Sequence, residues 1–261
     1  MFDVEITFTA KRRGAVEKLI KAVWVYACAL YRNGQIADDY SLSRRRDTIR
    51  LLCLVPEKCA LELRFHDARG KKGLRSINEL MARQPVKRVT GEAVETPSVC
   101  RCRRRSSIHL FTHMFDDSSP LACGVCHQPI PFYRLRQLDL STRESLLRWQ
   151  DDYQACDQLF MHSGFGEMWG YGQMSRLQSG LTKDGRQLCA ELEAKLGVPV
   201  FYYLHRYWGR NEASERRRRC PGCKGTWLLP KSQGCFDFRC GKCRLLSCLA
   251  TDCSSPARPP R

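Results

Sequence analysis

The sequence of 261 residues contains no apolar run as long as a membrane-spanning helix requires. Such a helix needs about 20 consecutive apolar residues, and the best candidate, residues 22–31, is far shorter. The first residues also lack the basic and then apolar pattern of a secretory signal peptide. We therefore expect a soluble, cytoplasmic protein that has no membrane partner.

The motifs of several enzyme classes are also missing. There is no phosphate-binding glycine loop, no dinucleotide fingerprint and no nucleophile elbow. The remaining catalytic candidates lie close together in the sequence: Cys156, Asp157, His162 and Glu167. Their helical spacing among aromatic residues is more typical of packing than of a nucleophilic site. We expect no enzymatic activity and no small-molecule substrate, and an enzyme using this group stays as an alternative.

Cysteine, in contrast, is abundant, with 16 residues. Thiols stay reduced in the cytoplasm, where closely spaced pairs are typical of metal sites rather than of disulfides. The other cysteines are scattered and are expected to be small, mostly buried side chains. The paired cysteines are Cys100, Cys102, Cys123, Cys126, Cys220, Cys223, Cys240 and Cys243.

The pairs near the C-terminus have the spacing of a zinc ribbon. Cys220-Pro-Gly-Cys223 and Cys240-Gly-Lys-Cys243 are separated by sixteen residues that can form a hairpin. Two such turns place four thiolates around one tetrahedral zinc ion. Because four cysteines leave no open coordination position, we expect this zinc ion to be structural.

A second zinc module is predicted in the middle of the chain. Its ligands are Cys100 and Cys102 on one side and Cys123 and Cys126 on the other, twenty residues apart. His109, His113 or His127 could replace one sulfur, although each is more typical of an ordinary packed or surface residue. The expected cofactors are therefore two structural Zn²⁺ ions, since paired turns favour zinc over an iron–sulfur cluster.

The patterns along the chain predict an α+β protein. Alternation in residues 2–9 and the apolar runs at 48–55 and 85–94 predict strands, while residues 16–30 and 73–83 have helical character. This order is close to β-α-β-β-α-β and predicts an N-terminal ferredoxin-like α/β sandwich. A capping-box start at residues 141–144 predicts a helix further on. The predicted parts are a ferredoxin-like α/β domain at 1–95, the central zinc module with four cysteines at 96–140 and a helical segment with a closing strand at 141–209. A charged linker at 209–219 then leads to the C-terminal zinc ribbon at 220–250, and a disordered tail follows at 251–261.

The positive charge is concentrated around the cysteine modules. The formal net charge is +17, and residues 211–261 carry eleven basic but only four acidic side chains. Such an excess favours polyanionic partners, nucleic acid first. Trp227, Phe236 and Phe238 could stack on bases, but we expect them to pack the ribbon core. The candidate nucleic-acid-binding residues are Arg101, Arg103, Arg104, Arg105, Arg216, Arg217, Arg218, Arg219, Lys224, Lys242 and Arg244.

Several longer motifs resemble those of a known bacterial family. They are C-x-C with C-G-x-C-x-x-P-x-P-x-Y-R-L at 100–135, W-Q-x-x-Y-Q-A-C-D at 149–157, L-T-K-D-G-R at 181–186, P-x-x-Y-Y-L-x-R-Y-x-G at 199–209, and C-P-x-C-x-G-x-W-L-L with F-D-F-x-C-x-x-C-R-L-L-S at 220–247. The family consists of uncharacterised zinc-ribbon-containing proteins for which nucleic-acid binding has been suggested. The resemblance covers nearly the whole chain up to residue 251 and implies two cysteine modules, but it adds little about mechanism.

Together these observations predict a zinc-stabilised, non-enzymatic protein that binds nucleic acid through the basic surfaces around its modules. RNA or ribosome association and DNA association both remain open. The alternative is a scaffold whose zinc ribbons dock on a protein of the transcription or translation machinery. In that case the neutral helical part, with Trp149, Tyr153, Trp169 and Tyr171, could offer the docking surface.

Overall fold

The computed structural model describes residues 1–37, 40–94 and 96–253. The chain divides into two compact units. The first comprises Met1–Arg101, Asp117–Ser119 and Gln128–Glu144, and the second comprises the other described residues. Of the disordered tail predicted at 251–261, residues 254–261 lie outside the described residues, whereas Asp252 forms a β-bridge with Trp208.

The first unit contains a four-stranded antiparallel sheet and two long helices. Its elements, in chain order, are β1 (Phe2–Thr9), α1 (Val16–Arg32), β2 (Ser41–Arg45), β3 (Thr48–Val55), α2 (Ala68–Leu80) and β4 (Val86–Glu92). The strands lie in the order β2-β3-β1-β4, and every neighbouring pair is antiparallel. This is the arrangement of a ferredoxin-like fold, so the prediction for the N-terminal region is confirmed.

The alternation of apolar residues explains why this sheet forms. Val4, Ile6 and Phe8 of β1 are buried on one face, where Leu19 and Val23 of α1 also lie in the core. Successive side chains of a strand point to opposite faces, so this pattern allows only one face to pack against the helices. Burial of each of these side chains stabilises the unit by about 1.5–3 kcal/mol.

Two elements of this unit differ from the sequence prediction, one of them a strand that was not predicted and the other a helix that starts earlier. Strand β2 has the sequence SLSRR and is mostly exposed at the sheet edge, so it carries no apolar alternation to reveal it. Helix α2 begins at Ala68 rather than at residue 73. The cause is local, because the Asp67 carboxylate accepts a hydrogen bond from the Gly70 amide at 2.8 Å and caps the helix.

The rest of the chain adds four helices and a second sheet. Its elements, in chain order, are β5 (Ile108–Leu110), β6 (Leu121–Cys123), α3 (Leu140–His162), α4 (Glu167–Ser175), α5 (Gly180–Leu196), β7 (Val200–Tyr203), α6 (Glu212–Arg216), β8 (Leu228–Gln233), β9 (Phe236–Cys240) and β10 (Leu245–Ser247). The sheet has the order β6-β5-β7-β10-β9-β8. The ribbon hairpin β8–β9 therefore continues through β10 and β7 into a larger sheet, in which β7 is parallel to both β10 and β5.

In this region, the starts of α3 and α5 and the segment before the ribbon show how local contacts set the element boundaries. The capping box predicted at Ser141 is wrong, because Asp139 caps α3 by accepting a hydrogen bond from the Thr142 amide at 2.8 Å. Helix α5 is capped by Ser179 at its start and is followed by Gly197, whose φ of 67° ends it. Residues 209–219, predicted as a charged linker, contain α6 and the buried side chain of Glu215.

Within the described ranges, no helix is both long and apolar enough to cross a bilayer.

Leu19→Ala should lower the free energy of unfolding of the first unit by about 2–5 kcal/mol, because this α1 side chain is fully buried. The matched control is Leu63→Ala, whose side chain is 56% exposed, and its effect should stay below about 0.5 kcal/mol. Hydrogen exchange of peptides from α1, measured by mass spectrometry at increasing urea concentration, follows the unfolding of this unit alone. Equal effects of the two substitutions would contradict the packing of α1 described above.

Candidate metal centres

The first group of thiols lies in the ribbon. The sulfur atoms of Cys220, Cys223, Cys240 and Cys243 all lie within 4.8 Å of one another, and the Sγ atoms of Cys223 and Cys240 are 3.6 Å apart. Four sulfurs at about 2.3 Å from one tetrahedral zinc ion are about 3.8 Å apart. The group could therefore hold one metal ion through four thiolates, with no open coordination position.

The backbone of the two turns is shaped around these sulfurs. The Cys243 amide donates a hydrogen bond to Sγ of Cys240 at 3.3 Å. Lys224 and Arg244, which follow the second cysteine of each turn, have φ of 58° and 54°, in the left-handed region. A β-carbon at Gly222 would lie 2.7 Å from Sγ of Cys243, so only glycine fits beside the cluster.

The thiols of this group differ in their acidity. The hydrogen bond from the Gly225 backbone lowers the pKa of Cys223 to about 7, whereas burial raises the pKa of Cys243 to about 12. Metal binding requires thiolates, so a bound cation has to displace the proton from every one of these sulfurs. The affinity of the ribbon for a metal ion is therefore expected to rise with pH.

The second group of thiols is formed by Cys100, Cys102, Cys123 and Cys126, whose sulfurs also lie within 4.8 Å of one another. Strand β6 ends at Cys123, which pairs with Ile108 of β5. The C-x-x-C turn that follows resembles those of the ribbon. The Val125 amide donates to Sγ of Cys123 at 3.4 Å, and the residue after Cys126 has φ of 58°.

The histidines considered as alternative ligands lie outside both groups. Each group that could hold a metal ion among the described residues consists of four cysteines. His109 is fully buried in β5, where its ring packs edge-on against Phe236 at 5.1 Å between centroids. Burial lowers the pKa of His109 to about 3, so this ring is neutral at physiological pH. His109 is therefore a packed core residue.

The residues of the candidate catalytic group around Cys156 lie in different environments. Cys156 is buried, and this burial raises the pKa of its thiol to about 11. Asp157 accepts a hydrogen bond from the Met114 amide at 2.9 Å and so fixes the backbone at Met114. His162 is exposed. A thiol that burial keeps protonated lacks the thiolate that nucleophilic catalysis needs.

Arg218 belongs to the interior of the ribbon. Its guanidinium group lies 4.3 Å from the ring centroid of Phe238 and 4.8 Å from that of Trp227. It donates to the backbone oxygen of Cys248 at 2.8 Å and forms an ion pair with the buried carboxylate of Glu215 at 3.2 Å. These contacts give Arg218 a structural role, and we remove it from the candidate nucleic-acid surface.

Arg244 also contacts other residues of the protein, but its side chain is more exposed than that of Arg218. Its guanidinium group binds both carboxylate oxygens of Glu193 on α5, at 2.8 and 2.9 Å, and lies over the ring of Phe201. The hydrogen bonds from Arg244 lower the pKa of Glu193, so the pair is ionised at neutral pH. The side chain of Arg244 remains 40% exposed and can contact a further anion from its open side.

The other predicted cations lie on the surface around the cysteines. Arg216 pairs with Glu212 at 2.8 Å, and Arg219 donates to the hydroxyl of Thr226 at 2.6 Å. Arg105 is half-buried. The remaining members are exposed: Arg101, Arg103, Arg104, Arg217, Lys224 and Lys242.

A groove next to the ribbon adds a residue that sequence reasoning misses. It has a volume of about 490 Å³ and lies where α5 meets the second C-x-x-C turn. Arg186 of α5 lines it together with Lys242 and Arg244. The distance of 56 residues between Arg186 and Lys242 leaves no sequence signal for this cluster, which only the packing of α5 beside the ribbon creates.

The ribbon aromatics are part of the core, as the sequence predicts. Trp227, Phe236 and Phe238 are each at most 2% exposed. The indole nitrogen of Trp227 donates to the backbone oxygen of Arg218 at 2.8 Å, which fixes the ring. In this structure these rings are closed to stacking with nucleic-acid bases.

These features define an α+β protein with two tetracysteine groups placed for metal binding. Two family descriptions match it, each reading "Domain of unknown function": DUF2310 over residues 102–205 and DUF8594 over residues 209–253. Two proteins of Haemophilus influenzae, both described as uncharacterized, are 37% identical over 142 residues, or 54% of this chain. The match covers 70% of one relative and 54% of the other. The chain therefore belongs to the bacterial family of these uncharacterised proteins.

Two solved structures are similar to the N-terminal region, over about a third of this chain. An antibiotic biosynthesis monooxygenase is 11% identical, with 36% of this chain and 99% of that chain covered and a TM-score of 0.31. A conserved protein of Methanosarcina mazei is 8% identical, with 36% and 95% covered and a TM-score of 0.30. TM-scores this low say nothing about activity. The fold of the first unit follows from its own strand order.

Native mass spectrometry of the purified protein should show two bound metal ions, one for each group of four thiols. Cys220→Ser and Cys100→Ser should each remove one ion, because a group with three thiols loses most of its affinity. Cys235→Ser is the matched control, since this exposed thiol lies outside both groups. Loss of an ion from the control, or two ions in either ligand variant, would refute these ligand sets.

Arg218→Ala should lower the free energy of unfolding of the ribbon by about 2–4 kcal/mol, since it removes a stacked cation and leaves Glu215 with one fewer partner. Arg217→Ala removes an exposed neighbour and should change it by less than about 0.5 kcal/mol. Denaturant-induced metal release, followed with a colorimetric chelator, measures both variants. Similar midpoints for the two would show that Arg218 does not support the ribbon.

Proposed function

We propose that this protein is a zinc-stabilised, non-enzymatic nucleic-acid-binding protein of the cytoplasm, and that the ribbon is its main contact surface. The observation that supports this most is the set of exposed cations within a few residues of a closed group of four thiols. Tetrahedral sites with four sulfurs suit zinc, and a closed site serves structure rather than catalysis. Closely spaced cysteine pairs that meet around a metal site are typical of a reducing compartment.

The cations of this surface are carried by rigid backbone. Lys224 lies just after the first C-x-x-C turn and Lys242 lies inside the second, so a bound metal ion fixes both positions. Arg216, Arg217 and Arg219 approach the same turns from α6. Cations on a fixed framework lose little conformational freedom on binding, which favours contacts with a phosphate backbone.

The groove beside the ribbon extends this surface. Arg186, Lys242 and Arg244 line it together with Glu193, whose carboxylate is paired with Arg244. The two other cations and the open side of Arg244 could hold one phosphate group. Because Trp227, Phe236 and Phe238 are buried, the ribbon offers charge rather than stacking platforms. We therefore expect binding through the backbone of the nucleic acid with little sequence preference.

A second candidate function is that of a protein-docking scaffold. Of the residues predicted for a docking surface, Trp149 and Tyr153 are buried, Tyr171 is half-buried and Trp169 is 59% exposed. Phe165, just before α4, is fully exposed. Large apolar side chains exposed near one another are typical of protein interfaces. This proposal requires a protein partner that binds through α4, with no need for nucleic acid.

The test is a binding titration of the metal-loaded protein against single- and double-stranded RNA and DNA at several salt concentrations. The triple variant Arg216→Ser, Arg217→Ser and Arg219→Ser should weaken binding. Its slope of log K against log salt should fall by about 2–3, since each lost phosphate contact removes about 0.7–0.9. The matched control replaces Lys11, Arg12 and Arg13, three consecutive exposed cations of the first unit, by serine and should keep the slope.

Equal slopes for the wild type and the ribbon variant would overturn the proposed surface. Weak binding to every polymer even at low salt would overturn nucleic-acid binding itself. In that case, co-purification of a protein partner that survives nuclease treatment and is lost in Trp169→Ala would support the scaffold.

A further inference from the structure

A second candidate binding surface lies in the first unit, far along the sequence from the cysteines of the ribbon. It is a groove of about 580 Å³ between α1 and α2, on the side of the helices that faces away from the sheet. Its walls and floor are mainly apolar. The residues that line it are Lys21, Ala22, Trp24, Val25, Cys28, Ala29, Arg32, Arg69, Lys72, Gly73 and Ser76.

Small residues create the groove, and large apolar residues stay exposed in it. A β-carbon at Gly73 would lie only 3.2 Å from Cα of Tyr26, so α1 and α2 approach closely there and the floor is shallow. Trp24 and Val25 are each 55% exposed. Exposed apolar side chains on a surface helix cost solubility, and side by side they are typical of a docking site.

The rims of the groove are basic on both sides. Lys21 and Arg32 lie on α1, and Arg69 and Lys72 lie on α2. Arg32 and Arg69 share one carboxylate oxygen of Glu144, at 3.1 and 3.2 Å, while their side chains remain about half exposed. The rims therefore already bind the carboxylate of Glu144 and still carry excess positive charge that can bind further carboxylates.

From this combination we infer that the groove binds an acidic amphipathic helix of a protein partner. The lining residues of α1 run from Lys21 to Arg32, which corresponds to about 16 Å, or three helical turns. A helix of that length can place apolar side chains against Trp24 and Val25, with its carboxylates at the two basic rims. This inference does not depend on nucleic-acid binding by the ribbon.

The other occupants fit the groove less well. A single-stranded nucleic acid stacks successive bases on several aromatic rings, and Trp24 is the one aromatic residue among those that line the groove. A second copy of the chain, docked groove to groove, brings like charges together, since Lys21, Arg32, Arg69 and Lys72 would face their own counterparts. An acidic helix satisfies the apolar floor and the charged rims together.

The probe is a fluorescent peptide of about 15 residues, with leucine at helical i, i+3 and i+4 spacing and glutamate elsewhere. Its binding to the full-length, metal-loaded protein is followed by fluorescence anisotropy. Trp24→Ala should weaken binding about 30-fold, as expected for a central aromatic contact, and Lys72→Glu about 10-fold. Leu63→Ala, an equally exposed apolar residue of the same unit, is the matched control and should bind as the wild type.

Several results would overturn the inference. One is equal binding by a peptide with lysine in place of glutamate, and another is unchanged affinity in Trp24→Ala and Lys72→Glu. Displacement of the peptide by a single-stranded oligonucleotide whose own binding requires Trp24 would assign the groove to nucleic acid. Sedimentation that shows a dimer lost in Trp24→Ala would assign it to a second copy. Should Trp24→Ala fail to fold, the exposed Lys72→Glu decides.

Discussion

The convergence of four thiols is the constraint on which the ribbon depends. Its strands β8, β9 and β10 are short and enclose a small core around Trp227 and Phe238. Four sulfurs within 4.8 Å of one another can all ionise only with a cation among them. Structural zinc in comparable small folds contributes about 10–16 kcal/mol, so metal binding is expected to hold the ribbon together. The same ion then fixes the backbone that carries Lys224 and Lys242.

Both groups of thiols are tied to the same six-stranded sheet. Cys123 is the last residue of β6 and Cys240 is the last residue of β9. Between them β7 pairs with β5 on one side and with β10 on the other. A metal ion at either group therefore fixes the end of a strand as well as a turn, and the sheet joins what the sequence presents as separate modules.

Features with local signals are those that the sequence predicts. Alternation reveals β1, and the C-x-x-C spacing reveals the turns around Cys123, Cys220 and Cys240. Strand β2 is not predicted from the sequence, because a polar edge strand has no alternation of apolar residues. The four arginines at 216–219 look equivalent in sequence, yet Arg218 packs between aromatic rings, because only the folded hairpin brings Trp227 and Phe238 to it. Arg186 reaches the ribbon groove through packing between distant segments, which no short motif encodes.

X-ray absorption spectroscopy at the zinc edge can test both metal centres, because it counts the atoms bound to the metal in the intact protein. We predict a first shell of four sulfur atoms at about 2.3 Å for both sites, without nitrogen or oxygen. A nitrogen contribution at about 2.0–2.1 Å would place a histidine among the ligands. Such a shell, or the absence of bound zinc, would contradict the two four-cysteine centres on which the proposed surface is built.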